Sequence, residues 1–108
     1  MHSLDERQIA ELHKLRDLAD AAYLELDESY STGLISDSKS AVFAVMTAAD
    51  AIDLPTILAA EVRQLARESW EGAVGMGEVY ERAGKAIAAI GKLQRLIESF
   101  LDEEGSQA

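Results

Sequence analysis

The chain has 108 residues, no cysteine, and a formal net charge of −10 from twenty acids against ten bases. That length fits one domain with a modest core, and the lack of cysteine excludes disulfides, thiolate catalysis and Cys-ligated zinc. The negative charge disfavours direct binding to nucleic acid or to an anionic membrane, and it favours a basic partner protein.

Alanine, leucine and glutamate, all good helix formers, are frequent, whereas β-branched and aromatic residues are sparse. The expected fold is therefore all-α. The first helix is expected from about Leu4 to Tyr30, roughly 40 Å long, with Ser3 and Glu6 forming a capping box. Ile9, Leu12, Leu15, Ala19, Ala22 and Leu26 recur at spacings of three and four and define its apolar face, which Leu18 and Tyr23 widen. Gly33 ends the helix by taking the left-handed conformation. Ser36 or Asp37 caps a second helix, expected from Asp37 to Ile52, whose wide arc of Val42, Phe43, Val45, Met46 and Ala49 predicts burial on more than one side. Pro55, the only proline, suits the first turn of the next helix, and Asp53 is a natural cap before it.

From Pro55 to Asp102 two readings compete. A heptad runs unbroken through Val62, Leu65, Ser69, Gly72, Met76, Val79, Ala83, Ala86, Ile90, Leu93, Ile97 and Phe100. That pattern suits one helix of roughly 72 Å, which a bundle of this size buries only with a partner chain. Against it stand Gly72, Gly75 and Gly77, each costing a helix about 1 kcal/mol relative to alanine. The favoured reading is a break between Gly72 and Gly77, with a third helix from Pro55 to Glu71 and a fourth from Glu78 to Asp102. This gives a four-helix bundle over residues 1–104 and a frayed tail over residues 105–108. The alternative is three helices, the last one long, in a homodimer.

The acids are not spread evenly. Asp17, Asp20, Glu25, Asp27, Glu28, Asp37, Asp50, Asp53 and Glu61 share their stretch with one base, Lys39. Of these, Asp17, Asp20, Glu25, Asp27, Glu28 and Asp37 are the candidate partner-binding residues. Gly77, Gly84 and Gly91 recur every seven residues, and with Met76 and Ile90 they are candidates for close helix packing or a dimer contact.

The candidate chemistries fare differently. A bundle di-metal site needs Glu-x-x-His pairs, and the chain has only His2 and His13 with no such pair. No metal or other cofactor is expected. The segment His13-Lys14-Leu15-Arg16-Asp17-Leu18-Ala19 resembles the motif His-x-Leu-Lys-Gly-x-Ala of histidine phosphotransfer domains. The resemblance implies His13 as phospho-acceptor and Arg16 as its charge neutraliser, but Asp17 stands where the family has glycine. Arg7 and His13 are spaced as in the HEPN-type nucleases, though on a straight helix they lie about 120° apart. Trp70-Glu71-Gly72 is similar to the signature of the WXG100 family of exported helical hairpins, with two extra helices ahead of it here. No nucleophile elbow or phosphate-binding glycine loop is present.

The N-terminus, from Met1 to Arg7, carries charges where a secretion signal has an apolar stretch. The longest apolar run, about Ala41 to Ala49, is far shorter than the roughly 18 residues of a membrane span. The expected protein is a cytoplasmic, non-enzymatic interaction module: an acidic adaptor or inhibitor of a basic partner, itself a candidate nucleic-acid-binding protein.

Overall fold

The computed structural model describes residues 4–106. Four helices follow one another: α1 (Glu6–Thr32), α2 (Ser36–Ala51), α3 (Thr56–Val74) and α4 (Val79–Ser106). Each packs against its chain neighbours, and α4 returns to α1, while among the described residues the diagonal pairs bring no Cα atoms within 8 Å of each other. The result is an all-α four-helix bundle with short connections, 44 Å long and 17 to 21 Å across.

The capping of α1 falls two residues later than expected. Asp5 takes the cap position: its Oδ1 accepts from Gln8 N at 2.8 Å, and Gln8 Oε1 accepts from Asp5 N at 2.9 Å. The pair Asp5–Gln8 is a capping box in its own right, and it draws the helix start from Leu4 to Glu6. Leu4 instead packs into the core. Ser3 lies outside the described residues. At the other end Gly33 has φ 71° and donates to Ser29 O, as its lack of a side chain predicts.

Neither Ser36, Asp37 nor Asp53 caps a helix with its side chain. The backbone positions preceding α2 and α3 are Ile35 and Pro55, without side-chain capping bonds. Asp53 is held elsewhere. Arg7 Nη2 donates to its carboxylate at 3.1 Å, Gln8 Nε2 donates to its carbonyl at 2.9 Å, and its N–H donates to Glu11 at 3.2 Å. The first two turns of α1 thus clasp the α2–α3 turn. Ile52 and Leu54 from that turn, with Leu4 and Phe100, fall within the single core cluster.

Two arginines satisfy carbonyls that the helix ends leave open. Arg63 donates through Nε and Nη2 to Ala49 O and Ile52 O, both at 3.3 Å, at the end of α2. Arg82 donates through the same two nitrogens to Ala73 O at 3.0 and 2.7 Å, tying α4 to the end of α3.

The break between α3 and α4 lies at residues 75–78. This excludes the three-helix alternative. Gly72 is inside α3, Gly75 follows its end, and Gly77 has φ 118°. The heptad survives on both sides of the turn. Val62, Ser69, Gly72, Ala83, Ala86, Ile90, Leu93, Ile97 and Phe100 are all buried, Leu65 and Val79 are partly buried, and Met76, on the turn itself, is exposed. α4 runs on to Ser106, past the helix end expected at Asp102. Residues 107 and 108 lie outside the described region. Phe43 corrects another expectation: it does not enter the core but remains half exposed, its ring edge-on to Trp70 at 5.3 Å.

Candidate functional site

The buried stripe of α1, from Leu12 to Ser29, fixes which residues face solvent. At about 100° per residue, Asp17, Asp20, Asp27 and Glu28 fall on the side opposite that stripe, and all four are exposed. Glu25 stands at the margin toward α2, half buried, where its carbonyl accepts from Ser38 Oγ at 2.8 Å. Asp37 is exposed in the first turn of α2, at the same end of the bundle as Glu28. Of the six expected carboxylates, Asp17, Asp20, Asp27 and Glu28 therefore share the solvent side of α1; Glu25 lies on its α2 margin, about 160° around the helix from Asp27, and Asp37 lies beyond the helix end on α2.

Two features give this face more than charge. Leu24 lies at its centre, 65% exposed, with Asp20 one turn before it and Glu28 one turn after. Leu34, also exposed, follows at the end of α1. An apolar side chain ringed by carboxylates is amphipathic in a way that a merely solvated surface need not be. Among the described residues, none of the six acids enters an ion pair; the pairs are Arg7–Glu11, Arg7–Asp53, Arg16–Glu98 and Arg67–Asp50. Asp20 Oδ1 accepts from Gln94 Nε2 at 2.7 Å, which anchors one carboxylate to α4.

The face also opposes local helix energetics. Asp17 and Asp20 are like charges at spacing three, worth a few tenths of a kcal/mol of repulsion. Asp27 and Glu28 approach the negative end of the α1 dipole, and no base occupies the last turn.

The small-residue set is dispersed. Met76, 93% exposed, and Gly77 belong to the α3–α4 turn, so neither packs a helix. Ile90 is completely buried and available only to the core. Gly84 faces α1, where an added Cβ would sit 3.4 Å from the Tyr30 hydroxyl, and Gly91 has Arg95 Nη1 at 3.8 Å. Among the glycines within helices, the tightest contact with another helix is at Gly72, a heptad position outside this set. A Cβ on Gly72 would come within 2.9 Å of Ala86 N.

His13 is exposed on α1, with Asp17 one turn away and Arg16 turned to Glu98 at 3.9 Å. Arg7 is committed to Asp53, away from His13. Trp70, Glu71 and Gly72 all lie within α3, three residues or more ahead of the turn. Among the described residues, no group of three or more His, Cys, Asp or Glu side chains could hold a metal ion, and no helix is long and apolar enough to cross a membrane. No family model, no curated protein and no solved structure matches the chain.

Proposed function

We propose that this protein is a non-catalytic interaction module, an acidic helical adaptor or inhibitor that binds a basic partner protein through the outer face of α1. The observation that carries the reading is the set Asp17, Asp20, Asp27 and Glu28 around the exposed Leu24. Carboxylates in this number steer a basic partner toward the face and speed association at low ionic strength. Leu24 then supplies an apolar anchor, removed from water only when the partner is seated. In the sharper form of the proposal, the carboxylates take the place of phosphates on a nucleic-acid-binding partner, which the protein blocks.

The cost to α1 supports a functional origin for these charges. A surface selected only for solubility has no need of acids next to the negative end of a helix. The test compares the wild type with Asp17→Asn/Asp20→Asn/Glu25→Gln/Asp27→Asn/Glu28→Gln as baits in lysate of the source organism. A basic protein held by the wild type at low salt, released at high salt and ignored by the variant supports the proposal. Equal retention by both baits overturns it. Competition by added DNA or RNA separates the nucleic-acid-mimicking form from a plain adaptor.

A further inference from the structure

Away from α1, the bundle has a second feature that neither the core nor the acidic face explains. A groove of about 700 Å³ runs between α3 and α4, with Leu65 and Leu96 at its base and Ala60 beside them. Its two rims carry opposite charge. On the α3 side stand Glu61 and, further along, Glu68 and Glu71; on the α4 side stand Arg95, Lys92 and Lys85. Among the described residues, none of these six charges forms an ion pair within the chain.

The rims are matched in height. Glu61 lines the same stretch of groove as Lys92 and Arg95, and Glu68 lines the next stretch with Lys85 and Lys92. A rotation of 180° about an axis parallel to the helices, set on the face of the groove, exchanges left and right while keeping height. It lays α3 of a second copy over α4 of the first. Acid then meets base along both rims, twice, and the two Leu65–Leu96 floors close on each other. A two-fold axis across the helices would instead set acid on acid. The charge pattern thus selects one isologous arrangement out of two.

We propose that the α3–α4 groove is the docking surface for a second copy of this chain, related by a two-fold axis parallel to the bundle. The flank follows α3, 19 residues and about 28 Å long, on a bundle 17 to 21 Å across, a footprint below the roughly 800 Å² per partner of a standard stable interface and suited to a weak dimer. Exposed Ala60 and Ala88 on the two helices let the facing backbones approach. The continuous heptad then has a second consequence: its α3 and α4 segments build the intrachain core, while Leu65 from the heptad and Ala60, Glu61, Lys92, Arg95 and Leu96 beside it line the groove. The outer face of α1 lies on a corner diagonal to α3 and stays free, so the dimer presents two acidic faces. This inference does not depend on the function proposed for that face.

The test uses two double reversals, Glu61→Lys/Glu68→Lys and Lys92→Glu/Arg95→Glu, in the full chain. All four positions are exposed, and circular dichroism checks that each variant keeps the helical content of the wild type. Sedimentation equilibrium of the wild type, up to about 1 mM, should show a monomer–dimer equilibrium. Each double variant alone sets like charge on like charge and should self-associate roughly a hundredfold more weakly. An equimolar mixture of the two restores complementarity on both rims and should form a heterodimer of wild-type affinity. A wild type that stays monomeric throughout, a dimer that neither reversal weakens, or a mixture that fails to pair would each overturn the proposal.

Discussion

Replacing Gly72 by alanine separates helix propensity from helix packing. A glycine within a helix loses about 1 kcal/mol relative to alanine, so propensity alone predicts a gain. The surroundings predict a loss. The new Cβ would lie 2.9 Å from Ala86 N, 3.0 Å from Lys85 Cβ and 3.2 Å from Lys85 C. Two of those atoms are backbone, and they yield only if α4 moves as a body. Overpacking of this kind costs about 1–3 kcal/mol, which outweighs the propensity gain and leaves Gly72→Ala destabilised by up to about 2 kcal/mol. The control is Gly91→Ala, in the interior of α4, where the nearest atom is the mobile end of Arg95 at 3.8 Å. There the propensity gain stands unopposed, and the variant should be more stable by about 1 kcal/mol. Urea unfolding followed by circular dichroism should move the two midpoints in opposite directions at constant m. If Gly72→Ala is as stable as Gly91→Ala, α3 and α4 do not approach as closely as described.

Asp5→Ala removes the capping box of α1 and should cost about 1 kcal/mol in the same assay; no loss would mean the helix start is held only by the clasp on Asp53. Phe43 and Trp70 meet edge to face at 5.3 Å, so a double-mutant cycle of their alanine variants should give a coupling of about 0.5–1.5 kcal/mol, whereas additive losses would deny the contact. Glu28→Lys reverses a charge one turn from the C-terminal end of α1. It should raise stability by a few tenths of a kcal/mol while weakening capture of the partner, and unchanged capture would count against the proposed face.

The helices were legible because their signal is local. Leu12, Leu15, Ala19, Ala22 and Leu26 repeat with the period of one helix, and all are buried. The α3–α4 break was legible from its glycines, but their separate duties were not. Gly77 serves the turn through a positive φ, while Gly72 serves the contact with Ala86. Nothing in a helical period says which helix will lie opposite. The same limit hid Phe43, which belongs to the apolar arc of α2 by spacing yet meets Trp70 at the surface. It also hid the capping of α2 and α3 by Arg63 and Arg82, whose partners lie nine to fourteen residues away. Of the candidate surfaces, the acids of α1 were visible because they share one helix. The opposed rims of the α3–α4 groove emerge only when two helices are laid side by side.

The most direct test of the acidic-face account is a calorimetric titration of the captured partner with the wild type, the fivefold-neutralised variant and Leu24→Ala, at low and at physiological salt. The account predicts tight binding by the wild type that weakens with salt, loss of at least roughly a hundredfold on neutralisation, and a loss of about tenfold for Leu24→Ala with little change in its salt dependence. Equal affinity for the partner across all three proteins would contradict it.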